Sequence, residues 1–168
     1  MSLPFLQPYF GLSNSLQTAQ ASGAGTTRGV FGGGTTGSAS NVMDYITIAT
    51  TGNATDFGDL SVTRQEVAGV CSDVRGCIGG GTGSDGNVID YITIATTGNA
   101  TDFGDLTVAR TASLTGLNST TRGVFGGGTT GSASNVMDYI TIATTGNATD
   151  FGDLTVARYG LAGVQNGL

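Results

Sequence analysis

The sequence predicts an all-β protein built from repeated blades of four short antiparallel strands. The stretch ITIATTGNATDFGDL occurs unchanged at residues 46–60, 92–106 and 140–154. Each copy lies in a unit of about 47 residues, because Arg28, Arg75 and Arg122 recur at that spacing. Apolar residues alternate through these units without a helical period, as they do in strands. With 30 glycines and only 2 prolines, the chain is rich in turns but is not a disordered linker.

The middle repeat contains the four strand signals in order. They are VAGVCSDV (67–74), RGCIGGG (75–81), NVIDYITIAT (87–96) and DFGDLTVAR (102–110). β-Branched and aromatic residues favour strands in these segments. The sequence TTGNA, between the last two segments, holds a Gly-Asn pair typical of a hairpin turn. Four short antiparallel strands in one such unit are typical of a β-propeller blade.

The predicted organisation is an extended N-terminal peptide with its linker, followed by a module of repeats. The peptide covers residues 1–25, and we call residues 26–168 the repeat module. The predicted repeats and the strand after them lie at about 26–64, 65–110, 111–158 and 159–168.

Residues shared by the repeats resemble the kelch motif. The double glycine Gly32-Gly33 is followed by Tyr45, Phe57 and Arg64 in the order that kelch blades use, and the later repeats keep this order. The chain departs from the motif in having no tryptophan and a longer spacing from the tyrosine to the next aromatic. The resemblance covers residues 26–168 and implies kelch-like propeller blades.

The alignment of the repeats also predicts how the blades are completed. LAGVQNGL (161–168) aligns with the first strand of the middle repeat, whereas ASGAG (21–25) stands at that place before the first repeat. We expect the C-terminal strand to complete a sheet of a second chain, because unpaired edges are unfavourable. Two chains joined tail to head would give a six-bladed ring with C2 symmetry, within the range of known propellers. The alternatives are a flat or helical array and a trimeric fibre. The residues expected to exchange are Leu161, Ala162, Gly163 and Val164.

Composition excludes several classes of function. The chain has no histidine, so Ser–His–Asp and Cys–His nucleophile pairs and His-containing zinc sites are absent. Its net charge is −6 and it has no lysine, which argues against a nucleic-acid partner. No apolar run approaches the roughly 18 residues of a membrane span, so no membrane partner is expected.

Aspartates recur at the same places in every repeat and allow three interpretations. They could bind calcium, which prefers several oxygen ligands, or act as a glycosidase acid and base. They could also cap turns and pair with the repeat arginines, such as Arg28 and Arg64. We favour the structural interpretation, because a catalytic site is normally assembled once from different residues, and we predict no cofactor. The calcium candidates are Asp56, Asp59, Asp102, Asp105, Asp150 and Asp153.

Two smaller features are left open by the sequence. Cys71 and Cys77 occur only in the middle repeat, and two buried thiols are favoured over a disulfide. Thr50, Thr51 and Asn53 belong to a loop that recurs in each repeat. This loop could contact sugars, although a solvated loop is the simpler interpretation.

The segment before the repeats is apolar and extended, which is typical of a peptide that docks on another protein. Its sequence, MSLPFLQPYFGLSNSLQTAQ, resembles the leader of virion proteins of tailed marine bacteriophages, and GNATDFGDLTVAR resembles kelch-like repeats of such phages. The resemblance implies a non-enzymatic decoration or host-adhesion protein on the particle surface, with virion proteins, itself and host glycans as partners. A cellular kelch-type scaffold for protein–protein interaction is the alternative. The expected anchor residues are Phe5, Leu6, Tyr9, Phe10 and Leu12.

Overall fold

The repeated sequence forms three antiparallel sheets, each a meander of consecutive strands. The structure is a computed structural model that describes residues 28–82 and 85–166. This described part is all β and contains no helix. The predicted anchor residues lie outside the described residues.

In the described part of the chain, eleven strands make up the three sheets. The first sheet has the order β1 (Arg28–Gly32), β2 (Ser40–Thr47), β3 (Thr55–Arg64). The second has the order β4 (Ala68–Cys71), β5 (Arg75–Gly79), β6 (Val88–Thr93), β7 (Thr101–Asp105). The third has the order β8 (Thr115–Asn118), β9 (Arg122–Gly126), β10 (Val136–Thr141), β11 (Thr149–Asp153). Within the described ranges, no strand pairs with the outer edge of β1.

The last strand of the second sheet is shorter than the sequence predicts. We expected it to continue to Arg110, but β7 ends at Asp105. A bulge between Ile89 and Asp90 shifts the β6–β7 register. The chain then leaves the sheet edge, and the Arg110 side chain reaches Asp138 of the following sheet. The equivalent strand β3 does continue to its arginine, Arg64, so the contact between repeats does not by itself explain why β7 is shorter.

The Gly-Asn pair of the predicted hairpin turn also has a different role. The chain reverses direction before this pair, in a turn where Thr96 N–H donates to the Thr93 carbonyl (3.0 Å). Gly98 N–H instead donates to the Phe57 carbonyl of the first sheet (2.7 Å). The extended loop therefore connects two sheets, which a prediction limited to one hairpin could not include.

The hydrophobic core lies between the sheets. A first cluster joins the first and second sheets through Met43, Phe57, Leu60 and Ile92. A second, larger cluster includes residues from both the second and third sheets: Ile89, Phe103, Leu106, Phe125, Ile140 and Ile142. A sheet with one apolar face must bury it against another layer. Each sheet is therefore stabilised by its neighbour, and the repeats depend on one another for their stability.

Two equivalent glycines allow this dependence to be measured. Gly104 and Gly152 both have positive φ angles, +139° and +124°. A Cβ at Gly104 would lie 2.6 Å from the Gly146 carbonyl oxygen in the third sheet, whereas a Cβ at Gly152 would meet nothing within 4 Å. Only the first position is therefore closed by a following sheet.

We expect G104A to lower the free energy of unfolding more than G152A does. Both variants have the strain of a non-glycine residue at positive φ, about 1–3 kcal/mol. Overpacking against backbone adds about 1–3 kcal/mol for G104A alone. Urea unfolding of the two variants at low protein concentration measures the difference, and equal losses would contradict the proposed contact.

Candidate functional site: the junctions between sheets

The recurring polar residues converge where one sheet packs on the next. We call the contact between the first and second sheets junction 1, and the contact between the second and third sheets junction 2. The two junctions are built from equivalent residues about 47 positions apart.

A buried ion pair lies at the centre of each junction. In junction 1, Arg64 Nη2 donates to Asp90 Oδ2 at 2.6 Å. In junction 2, Arg110 Nη2 donates to Asp138 Oδ2 at 2.6 Å. All four side chains are at most 1% exposed. The pairing of an aspartate with Arg64 was expected, but the sequence did not indicate that each pair would join two different repeats. Arg28, which was also expected to pair with an aspartate, instead donates to the Ile94 carbonyl (3.0 Å) and lies over the Tyr45 ring.

The same guanidinium groups also bind backbone of the following sheet. Arg64 Nη1 donates to the carbonyls of Val88 (2.6 Å) and Gly80 (3.0 Å). Arg110 Nη1 donates to the Val136 carbonyl at 2.7 Å. Each arginine side chain therefore binds both backbone carbonyls and the aspartate carboxylate of the following sheet.

Burial makes each ion pair an obligatory unit. Burial lowers the pKa of the Arg64 guanidinium, and the charge and hydrogen bond of Asp90 act in the opposite direction. The pKa of Arg110 is lowered by burial in the same way, with Asp138 opposing the shift. Removing one member of such a pair leaves a buried charge without its partner, which is strongly unfavourable.

The Thr/Asn loop forms a second part of each junction. In junction 1, Ala100 N–H donates to the Asp59 carbonyl (2.8 Å), and Asp59 N–H donates to Asn99 Oδ1 (3.1 Å). In junction 2, Asp105 N–H donates to Asn147 Oδ1 at 3.1 Å. The loop thus satisfies the free backbone groups along the edge of the preceding sheet's last strand.

Apolar side chains of one sheet fit into glycine positions of the neighbouring sheet. In junction 1, Ile78 packs on Gly32, and a Cβ at this glycine would lie 2.7 Å from the Ile78 Cδ1 atom. In junction 2, Phe125 packs on Gly79 in the same way, at 3.1 Å. Val70 of β4 lies against Gly123 of the third sheet. Large residues on one side and glycines on the other therefore make the junction faces complementary.

The predicted calcium ligands do not converge in this arrangement. Asp102 Oδ1 accepts a hydrogen bond from Gly104 N–H (3.2 Å), and Asp150 Oδ1 accepts one from Gly152 N–H (3.1 Å). Across residues 28–82 and 85–166, no three acidic or thiol side chains form a group that could hold a metal ion.

Each junction leaves an open cleft beside the Thr/Asn loop. The junction 1 cleft has a volume of about 330 Å³ and is lined by Phe57, Tyr91, Thr96, Thr97 and Asn99. The junction 2 cleft has the same volume and is lined by Phe103, Tyr139, Thr144, Thr145 and Asn147. A ligand in either cleft would contact threonine hydroxyls, an asparagine amide and aromatic rings.

The two cysteines are free, but only Cys77 is buried; Cys71 is exposed, so the expectation of two buried thiols was wrong for this residue. They lie on opposite faces of the second sheet. Cys71 pairs with Gly76, and Cys77 pairs with Val70. Since successive residues of a strand point to opposite faces, the two sulfur atoms cannot meet. Burial raises the pKa of Cys77 to about 12, and burial and the charge of Asp73 raise that of Cys71. Both groups are therefore thiols at neutral pH.

Residues 161–166 lie beside β8, in the position that β8 takes beside β4. Asn118 N–H donates to Gln165 Oε1 (2.7 Å), as Cys71 N–H donates to Asn118 Oδ1 (3.4 Å). Gly163 faces Leu117 as Gly116 faces Val70. This segment makes no strand pairing with the described residues, and Val164 is 91% exposed.

No protein-family model matches the chain, and no curated protein matches its sequence. Among the described residues, no helical segment has the length and hydrophobicity to span a bilayer.

We expect R110M to lower the free energy of unfolding by about 3–5 kcal/mol, because Asp138 would remain buried without its cation. The double variant R110M/D138L should lose less than R110M alone, since it removes both charges. Arg158, the exposed counterpart in the third sheet, supplies the control: R158M should change stability by no more than about 0.5 kcal/mol. Guanidinium unfolding at low protein concentration measures all three, and equal effects of R110M and R158M would contradict this role.

Proposed function

We propose that this chain is a non-enzymatic structural protein of a bacteriophage particle. The observation that carries the proposal is the common role of the recurring residues. Arg64 and Arg110 each hold the following sheet through a buried aspartate. A catalytic site is built once from different residues, whereas these residues repeat with one structural role. The resemblance of residues 1–20 to phage leaders supports the particle surface as the location, with the leader docked on capsid or tail.

The repeat module forms a propeller-like head by association of two chains. Its sheets are antiparallel meanders of three or four strands, as in propeller blades, and the outer edge of β1 pairs with no strand of the described residues. Residues 161–166 lie where the first strand of a further sheet would start. Exchange of this segment at Leu161, Ala162, Gly163 and Val164 joins two chains into six sheets around one axis, a common propeller size.

In an adhesion role, the propeller-like head binds a carbohydrate of the host surface. The two junction clefts combine threonine hydroxyls, an asparagine and a tyrosine ring. Such groups suit a polar ligand with apolar faces. Two equivalent clefts in one chain would also raise weak affinities by multivalent binding.

The leader role predicts the behaviour of an alanine variant. We expect substitution of Phe5, Leu6, Tyr9, Phe10 and Leu12 by alanine to reduce incorporation into particles of the encoding virus at least tenfold, because an apolar docking surface is removed. Immunoblots of purified particles measure incorporation. The matched control replaces polar residues of the same segment, Gln7, Ser13, Ser15 and Gln17, and should be incorporated normally. Absence of the wild-type chain from particles would favour the cellular scaffold.

The adhesion role predicts a ligand that depends on the clefts. If the wild-type chain binds a glycan array, T97A/T145A should weaken that binding at least tenfold, because both clefts lose a hydroxyl. The control T63A/T130A removes two exposed threonines outside the clefts and should bind as the wild type does. No binding by the wild type, or equal loss in both variants, would leave particle decoration as the role.

A further inference from the structure

We propose that the two ends of the sheet array are the two halves of a third junction, which forms between the third sheet of one chain and the first sheet of a second copy. This inference rests on the self-association proposed above and names the residues that make it. Junctions 1 and 2 use equivalent residues, so each end exposes what the internal junctions bury.

Charge complementarity is the first argument. Asp44 is the counterpart of Asp90, and Arg158 is the counterpart of Arg110. Asp44 is half-buried and Arg158 is exposed, and neither makes an ion pair within residues 28–82 and 85–166. Residues 1–27 contain no charged side chain that could pair with either one. Across two copies, Arg158 meets Asp44 as Arg110 meets Asp138.

The apolar surfaces at the two ends are also complementary. Phe31 is 63% exposed on the first sheet, whereas its counterpart Phe125 is fully buried against Gly79. The third sheet has a cleft of about 290 Å³, and its lining includes Gly126, Met137, Leu154, Arg158 and Val164. The first four of these correspond to Gly79, Ile89, Leu106 and Arg110 of the second sheet. This cleft therefore receives Phe31 of the second copy.

The exchanged segment fits a cavity at the first sheet. A cavity of about 360 Å³ lies between the first two sheets, and its lining includes Val30, Gly69, Gly76 and Cys77. In junction 2, the equivalent place against Gly123 is filled by the Val70 side chain. Val164 is the residue of the C-terminal segment that aligns with Val70, and it is exposed. Val164 of the second copy therefore enters this cavity.

The junction also has a defined register. Val70 lies opposite Cys77 in the β4–β5 pair. Val30 is the counterpart of Cys77 in β1. Residues 161–166 of one copy therefore pair with β1 of the next so that Val164 lies opposite Val30. Such directly opposite residues have Cα separations of about 4.5–5.5 Å, within the range of a disulfide.

Two charge-reversal variants test the junction. R158E alone and D44R alone should each have the mass of a single chain, because each would place like charges together. A 1:1 mixture of the two variants should form oligomers of at least two chains, because Arg158 of the D44R chain still meets Asp44 of the R158E chain. Sedimentation at several concentrations measures the masses. The matched control D73R makes the same charge change in an exposed turn and should assemble as the wild type does.

The outcomes separate this inference from the function proposed above. Variants that assemble as the wild type does, or a mixture that stays single-chain, would overturn the third junction and leave another mode of association. A wild-type chain that is monomeric throughout would overturn both the junction and the propeller-like assembly. Binding of residues 1–27 or of a foreign peptide at these ends would produce that result. Incorporation into virus particles is a separate measurement, and its result does not depend on these masses.

A disulfide tests the register independently of charge. In a Cys71→Ser/Cys77→Ala background, which leaves no native thiol beside the cavity, V30C/V164C should form reducible cross-links between chains on oxidation. The control V30C/A162C keeps Val164 and moves the cysteine two residues along the strand. That separation is about 7–8 Å, too long for a disulfide, so the control should stay uncross-linked. Equal cross-linking of both variants, or none in either, would overturn the register.

Discussion

The buried arginine–aspartate pair between neighbouring sheets is the interaction on which the rest of the structure depends. Each arginine lies where one repeat ends, and its aspartate lies on a strand of the next repeat. The pair can exist only when two sheets have already packed together and excluded water. Burial of the ion pair and burial of the apolar cluster are therefore coupled, and a single isolated repeat lacks both.

This coupling explains why glycine is so frequent. The junction needs room for a guanidinium, a carboxylate and a large apolar side chain close to backbone. Phe125 packs against Gly79, and the first strands of neighbouring sheets approach at Gly69 and Gly116. A side chain at Gly79 or at Gly116 would hold the sheets apart and open the ion pair to water. Part of the high glycine content therefore reflects close packing between sheets.

The sequence predicted the features that are local to one repeat. Strand order, all-β class and the approximate place of each strand follow from alternation and from the recurrence of one motif. Contacts between repeats were harder to predict, because identical repeats do not say which copy a residue contacts. Arg64 could have paired with Asp44 of its own repeat, and it pairs instead with Asp90. The bonding of Gly98 to the first sheet has the same cause. One signal for these contacts was present in the sequence: each unit ends in an arginine, and the next unit contains an aspartate that could pair with it.

The use of one residue set for every junction has a genetic consequence. Residues 26–60 and 120–154 are identical, so recombination between such stretches could add or remove whole units. Because nearest-neighbour contacts dominate the stability of repeat proteins, a lengthened or shortened gene product would find compatible partners at each interface without any compensating mutation. Variation in unit number would alter the length of the sheet array and the number of junction clefts in one generation. A lineage under changing selection could thereby vary the size of this array by copy number instead of by point substitution.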